Sequence, residues 1–260
     1  MATLSRPDTT LPVFQQLLDQ VRRDGGLLEQ PDNGDETPHA PSPVGWRGGP
    51  APAPPAISDS AIELIITFKV SSREVYESKY RHPIWPQGRS GITVGIGYDV
   101  GYVTRLALAR DWNAKLAPAD LAGLAQACGV TGSSAGALLP RLAHIDIPYV
   151  DAHAVFTGVS IAGYTQLTVA SLANTDALHP DCLGALVSLV YNRGASFERE
   201  GERYREMRAI RAAMEAQTFS QIPAQIRGMK RIWADEAHSA GLLKRRELEA
   251  LLFEHGLAQV

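Results

Sequence analysis

The segment covering residues 90–100 alternates strictly between two kinds of side chain, and it constrains the fold more than any other part of the chain. Its apolar positions are Ile92, Val94, Ile96 and Tyr98, and its small or polar positions are Thr93, Gly95, Gly97 and Asp99. Because successive side chains of a β-strand point to opposite faces, this period of two predicts a strand within a hairpin. The two glycines indicate either room for a ligand against the backbone or a twist or bulge, with Asp99 in a turn at the strand end.

Helical periodicity dominates the rest of the chain. Residues 11–23 have the spacing of a short amphipathic helix. Ser60 and Glu63 have the capping-box spacing of a helix start, which predicts a helix over residues 61–70. Further predicted helices are 118–128, 133–143, 149–157, 162–171, 182–191, 202–216, 222–235 and 242–255, of which 182–191 is apolar nearly all round and therefore central. A small antiparallel sheet near the N-terminal side, followed by many helices, predicts a mainly helical α+β fold.

Composition divides the chain into three predicted parts. Residues 1–29 are an N-terminal segment whose short helix is either a docking or delivery element or a frayed end. Residues 30–57 are a flexible linker, because residues 30–56 hold eight of the 17 prolines and few apolar side chains. Residues 58–260 are predicted to form the folded domain.

Charge and cysteine content exclude several classes of protein. The net charge of −3 argues against a nucleic-acid-binding protein, which would carry a basic domain. Residues 193–246, however, contain twelve Lys and Arg but only seven Asp and Glu. This excess of positive charge indicates either a solvated helix face or a surface for an anionic ligand. Cys128 and Cys182 have no metal-ligand or disulfide spacing, so neither a cofactor nor a metal is predicted.

The position of Lys69 is unusual for a charged residue. Ile62, Ile65 and Ile66 form an apolar stripe, and residue 69 continues that stripe by helical spacing. A charge there points toward the protein body, where it needs a partner. Alternatively, the lysine stem packs on the stripe and its ammonium reaches water, at a helix end where a cation is favourable.

Four motifs in the same order resemble those of phage-type lysozymes, and especially of the pesticin-like branch. Tyr76 followed by SGITVGIGYD resembles the catalytic front of that family. The stretches ALVSLVYNRG, IRGMKRIW and GLLKRRELEALLF resemble its central helix with the following turn and its closing helices. The resemblance spans residues 58–256 and implies a lysozyme-like fold that hydrolyses the β-1,4 bond between N-acetylmuramic acid and N-acetylglucosamine.

The resemblance also implies roles for individual residues. Thr93 and Asp99 match the family's catalytic threonine and aspartate, whereas Lys69 stands at the position of its catalytic glutamate. Substrate-binding positions implied by the match are Tyr76, Gly95, Gly97, Tyr98, Asn192 and Arg193.

The lysine at position 69 departs from the chemistry of the family. Glycoside hydrolysis normally needs two carboxyl groups, and lysine is a poor proton donor because its ordinary pKa is about 10.4. We therefore expect the chain to be an inactive or strongly impaired muramidase. Glu63 and Glu74 are weaker candidates for a replacement acid.

Two other functions remain open at this stage. One is a non-catalytic peptidoglycan-binding module, and the other is a structural adaptor of a phage or secretion apparatus. The expected partners are the peptidoglycan glycan strand and, through residues 1–57, an immunity protein or a secretion or phage component, with neither nucleic acid nor membrane insertion. The sequence has no signal-peptide pattern. We therefore expect an antibacterial effector or lysin made in the cytoplasm and exported by another system to the periplasmic cell wall.

Overall fold

The computed structural model describes residues 10–24, 53–235 and 239–260, and most of them are helical. The α-helices are α1 (Thr10–Arg23), α2 (Asp59–Val70), α3 (Arg73–Lys79), α4 (Arg105–Trp112), α5 (Pro118–Leu124), α6 (Ser133–Leu142), α7 (Tyr149–Val155), α8 (Ala162–Ser171), α9 (Pro180–Arg193), α10 (Arg205–Glu215), α11 (Ile222–Gly228) and α12 (Ala240–Leu257). Two strands, β1 (Thr93–Val94) and β2 (Tyr98–Asp99), form an antiparallel pair. The predicted α+β class is confirmed.

The chain divides into two compact units. The helical unit comprises α1, residues 55–68 and residues 165–260, and the hairpin unit comprises residues 69–164. Most of the predicted 30–57 linker lies outside the described residues. None of the described helices is both long enough and apolar enough to cross a membrane.

The core of the helical unit is built on α9, as its apolar sequence predicts. Pro180 opens the helix, where its missing N–H is no loss, and Gly194 with φ 70° ends it. The fully buried positions of α9 include Ala185, Leu186, Val187, Leu189 and Val190. The long helix α12 packs along α9, and a side chain at Gly184 would collide with Ala61 of α2. Small residues therefore bring these helices close together.

The N-terminal helix α1 is part of this core. Phe14, Leu18 and Val21 are fully buried, and the helix packs against α12. At its last turn, Arg22 contacts Thr67 and Asp24 pairs with Lys244. The helix predicted at residues 11–23 is confirmed, but its apolar face is covered by the helical unit, which argues against a frayed end.

A buried charge network joins α9 to α12. Arg245, Arg246 and Glu249 are all fully buried. The Glu249 carboxylate lies 3.1 Å from Arg245 Nε and 2.9 Å from Arg246 Nε, and it accepts a 2.7 Å hydrogen bond from the Ser188 hydroxyl. Elsewhere in the basic stretch, Arg231 binds Glu206. Part of the excess positive charge is thus engaged inside the helical unit.

The hairpin unit differs from the single extended strand that alternation predicted. Residues 90–100 fold back on themselves, because Thr93 pairs with Asp99 and Val94 with Tyr98 around the three-residue turn 95–97. Gly95 and Gly97 take φ values of 58° and 78°, which favour glycine and reverse the chain. The expected hairpin is therefore present, but the segment itself forms both of its strands.

Every helix predicted from the sequence has an observed counterpart, although several bounds differ. Helix α2 begins at Asp59, and its capping side chain is Ser58, whose hydroxyl accepts from the Ala61 N–H at 3.2 Å. The predicted Ser60 cap is therefore wrong. Between α7 and α8, residues Phe156–Ile161 are π-helical. Helices α3 and α4 were not predicted, although their caps, Ser72 and Thr104, are typical helix-start residues.

Candidate functional site

The hairpin brings Thr93 and Asp99 directly opposite each other. Residues paired across antiparallel strands place their Cβ atoms about 5 Å apart on the same face, and these two form such a pair. On its other side, Thr93 exchanges two backbone hydrogen bonds with Ile84, of 2.8 Å and 3.0 Å. Thr93 therefore pairs on both sides, with Asp99 in the two-stranded sheet and with Ile84 in an isolated β-bridge, and it is half-buried.

The Asp99 carboxylate is held by the backbone of its own loop. It accepts hydrogen bonds from the Gly91 N–H at 3.0 Å and from the Gly101 N–H at 2.9 Å. Burial raises the pKa of Asp99 to about 6, although these two bonds and the charge of Lys69 lower it. Asp99 thus caps the short 3₁₀ helix Val100–Tyr102 and also exchanges a proton near neutral pH.

Two glycines make this clamp sterically possible. A Cβ atom at Gly101 would lie 2.7 Å from the Gly91 Cα and 2.6 Å from the Val130 carbonyl oxygen, and a Cβ atom at Gly91 would collide with Asp99. Only glycines allow the two backbone segments to cross so closely. Sequence reasoning did not single out Gly91 and Gly101, although both lie eight or fewer residues from Asp99.

Lys69 belongs to the same neighbourhood. It is half-buried in the last turn of α2, and its charge is one of the causes that act on the pKa of Asp99. The juxtaposition of residue 69 with the carboxylate six positions beyond the strand threonine stays a prediction, which this electrostatic effect supports. Together the three residues would supply a cation, a hydroxyl and a carboxylate of raised pKa.

The opposite face of the hairpin is apolar core. Tyr98 is 4% exposed, its ring meets the Trp112 ring edge-on at 5.6 Å, and its hydroxyl donates to Asp111 at 2.9 Å. A Cβ atom at Gly95 would lie 2.9 Å from Trp112 Cη2, so this glycine is required by close packing. Tyr98 and Gly95 therefore have structural roles in place of the predicted substrate-binding ones, whereas Gly97 is exposed at the turn.

Tyr76 is also a core residue. Its side chain is fully buried, and its hydroxyl donates to the Ile147 carbonyl at 2.9 Å. Its ring packs edge-on against Tyr149 at 5.4 Å. Because no part of Tyr76 reaches the surface, its predicted contact with substrate is replaced by a role in anchoring α3.

The remaining predicted contacts, Asn192 and Arg193, lie in the helical unit. Asn192 is half-buried and accepts from Arg246 Nη2 at 3.0 Å. Arg193 is 5% exposed, donates to the Arg203 carbonyl and lies over the Trp233 ring at 5.2 Å. Burial lowers the pKa of Arg193 from its ordinary value. Within this unit both residues hold the end of α9.

Neither alternative acid has the properties of a proton donor. Glu63 is exposed and pairs with Arg22 of α1. Glu74 lies in the first turn of α3, where the Ser72 side chain holds its pKa below the ordinary value. A general acid for neutral pH needs a raised pKa, so Glu74 does not suit the role assigned to position 69, and Glu63 is engaged with Arg22 in the helical unit.

A cleft of about 640 Å³ lies elsewhere, in the helical unit. It is lined by residues 170–173 and 195–199 together with Arg211 and Glu215. None of the predicted site residues lines it, and its charged rim is occupied by the ion pairs of Arg211 with Glu198 and Glu215.

Among the described residues, no group of His, Cys, Asp and Glu side chains is arranged to hold a metal ion. No protein-family model matches the chain, and no curated protein matches it either.

Proposed function

We propose that Lys69, Thr93 and Asp99 belong to the glycan-binding cleft of a lysozyme-like protein that binds peptidoglycan and is inactive or strongly impaired as a muramidase. The observation that carries this proposal is the cross-strand pairing of Thr93 with Asp99. The charge of Lys69, which is one of the causes that lower the pKa of Asp99, supports it. This is the constellation that the resemblance to phage-type lysozymes requires, with a lysine at the acid position.

The chemistry of the group explains the expected loss of activity. Asp99, with a pKa of about 6, is mostly ionised at neutral pH and suits the carboxylate role beside an oxocarbenium-like transition state. Leaving-group departure then lacks a proton donor, because an ammonium is a weak acid. Loss of general-acid assistance costs about 100- to 10,000-fold in rate.

A second candidate is a peptidoglycan-binding module with no hydrolytic role, and one observation favours it. The Asp99 carboxylate already accepts backbone hydrogen bonds from Gly91 and Gly101. A carboxylate committed to capping its own loop is less available to a water molecule or a sugar. In this case the cleft still binds the glycan strand. Because no catalytic acid is needed, a residue other than glutamate is tolerated at position 69.

Replacing Lys69 by glutamate separates the two candidates. We expect Lys69→Glu to clear a peptidoglycan suspension about 100- to 10,000-fold faster than the wild-type chain, because it restores a general acid. Turbidity and release of soluble fragments are the measurements. Lys69→Gln is the matched control, since it removes the cation without supplying an acid, and it should stay inactive.

The other outcomes are equally informative. Sedimentation of the folded Lys69→Glu variant with cell walls, without fragment release, would favour the binding module. If wild type and variant neither bind nor clear walls, the peptidoglycan proposal is wrong. A wild-type chain that clears walls at an ordinary lysozyme rate contradicts the role given to Lys69. Delivery as an exported effector or lysin belongs to the same proposal and fails with it.

A further inference from the structure

The cleft of about 640 Å³ in the helical unit has the size of a small-ligand site. Clefts that hold small molecules have volumes of about 300–1,000 Å³ and apolar walls with a few polar groups. Leu172 and Phe197, which are 5% and 1% exposed, line this cleft together with three alanines. None of the residues proposed to bind glycan lines it. A ligand in this cleft would therefore serve a function separate from the one proposed above.

A nearly buried hydroxyl in the wall of the cleft lacks a partner. Ser196 lines the cleft and is 6% exposed, yet no atom of the described residues forms a hydrogen bond with its hydroxyl. Ser171 lines the same cleft, but its hydroxyl donates to the Leu167 carbonyl at 2.7 Å. Removing a hydroxyl from water is unfavourable unless another hydrogen bond replaces the lost one. A polar group of a ligand in the cleft would provide that bond to Ser196.

Charged side chains of both signs also line the cleft, namely Arg199, Arg211, Glu198 and Glu215. Arg211 donates from Nε to Glu215 at 2.8 Å and from Nη1 to Glu198, whereas its Nη2 has no acceptor among the described residues. The Glu198 and Glu215 side chains are 78% and 53% exposed. Ion pairs this exposed contribute little to stability, so a ligand can compete for either partner.

We propose that this cleft binds a small zwitterion with an apolar side chain, either a free α-amino acid or a short peptide. The ligand carboxylate binds Arg211 Nη2, and its ammonium pairs with the two glutamates. Its side chain packs on Phe197 and Leu172, while the Ser196 hydroxyl bonds one of its polar ends. A ligand with a single charge meets repulsion from the like-charged half of the cleft, whereas a zwitterion is complementary to both halves.

NMR titration of the full chain with four probes tests the chemistry of the ligand. Two probes are zwitterions, L-phenylalanine and L-alanyl-L-phenylalanine. The other two, 2-phenylethylamine and 3-phenylpropionate, keep the ring but lack the carboxylate or the ammonium. At least one zwitterion should bind about 10-fold or more tightly than both singly charged probes, because each charge adds a charge-assisted contact. The tighter of the two zwitterions shows whether the cleft suits a free amino acid or a peptide.

Three variants test the location of the ligand. Ser196→Ala should weaken binding of the zwitterion by about 5- to 10-fold. Its thermal unfolding midpoint should not fall, because the hydroxyl removed has no partner among the described residues. Arg211→Gln should lower the affinity for phenylalanine to about that for 2-phenylethylamine. Ala173→Trp, at an exposed position in the wall, should fill the cleft and abolish binding of every probe.

Two matched controls should bind the probes like the wild type. Ser171→Ala removes a hydroxyl from the same cleft that is already bonded to Leu167. Ala212→Trp places the same large ring at an exposed position of α10 that does not line the cleft.

The opposite results overturn the proposed zwitterion site. Failure of the wild-type chain to bind either zwitterion at millimolar concentration is one such result, and equal affinity for zwitterions and singly charged probes is another. If Ala173→Trp binds like the wild type, the ligand lies outside the cleft. Equal losses for Ser196→Ala and Ser171→Ala remove the role given to the Ser196 hydroxyl. Because no cell-wall polymer is used, these results are independent of whether the chain binds peptidoglycan.

Discussion

Two carboxylates, Glu249 in the helical unit and Asp99 in the hairpin unit, are compensated in different ways. Glu249 is fully buried and is met by two guanidiniums and a hydroxyl. Asp99 is half-buried and receives backbone N–H groups together with the charge of Lys69, and its pKa is raised to about 6. A carboxylate locked between arginines serves the architecture, whereas the role proposed for Asp99 requires a carboxylate that also caps its own loop to ionise near neutral pH.

The largest expected effect tests the structural side of this comparison. Glu249→Gln would leave Arg245 and Arg246 buried without their carboxylate, which should lower the free energy of unfolding by about 3–5 kcal/mol. Glu254→Gln is the matched control on the same helix, because its partner Arg227 is partly exposed and such pairs contribute about 1 kcal/mol or less. Urea unfolding measures both. If both variants lose a similar free energy of unfolding, the buried ion pairs of Glu249 and the partly exposed ion pair of Glu254 do not differ in their contribution to stability.

The next effect tests the functional side through pH. Asp99 has a pKa of about 6 in the folded protein against an ordinary value of 3.8. Between these values the folded state keeps a proton that the unfolded state has lost. The contribution of Asp99 to stability therefore falls as the pH rises from about 4 to about 6, by up to about 3 kcal/mol, and is constant outside that window.

The measurement is the unfolding free energy of the wild type minus that of Asp99→Asn, across this pH range. In a Lys69→Met background the end of the decline should move to higher pH, because the cation that lowers the pKa of Asp99 is gone. A difference that stays flat with pH, or one that rises, would place Asp99 in the same structural class as Glu249.

The two units also differ in how well their structure could be predicted from the sequence. Apolar periodicity located α9 and α12 because their faces are buried along their whole length. Alternation identified the burial of Ile92, Val94, Ile96 and Tyr98, but it did not predict the turn. The side chains alternate in burial whether the chain runs straight or reverses at Gly95 and Gly97. Helix α1 was predicted as a helix but not as part of the core. The helix that covers its apolar face, α12, comes more than 200 positions later in the sequence, so local periodicity could not indicate the contact.

For the site, family-like spacing selected Lys69, Thr93 and Asp99, of which the structure pairs Thr93 with Asp99 across a short hairpin. It did not identify Gly91 and Gly101, since their role arises only where two loop segments cross. Tyr76 and Tyr98 were assigned to substrate by the family resemblance, yet burial and internal hydrogen bonds engage both. Their burial depends on tertiary packing, which motif spacing does not show.

The smallest effect compares strain in the two units. Gln87, in the loop of residues 82–90 beside Thr93, and Gln217, just after α10, both have positive φ, 76° and 55°. Replacing either with glycine relieves about 1–2 kcal/mol of left-handed strain and adds about 0.5–1 kcal/mol of unfolded-state entropy. Each variant should therefore gain up to about 1.5 kcal/mol in the free energy of unfolding, measured in urea. Gln217→Gly should leave binding to peptidoglycan unchanged, because Gln217 lies in the helical unit, where it follows α10 and donates from its side chain to Asn174 at 3.2 Å. Gln87→Gly should bind more weakly despite its added stability, since a freer loop must be ordered when the ligand binds. If both variants bind like the wild type, the strain at Gln87 is incidental and the two units do not differ in this respect.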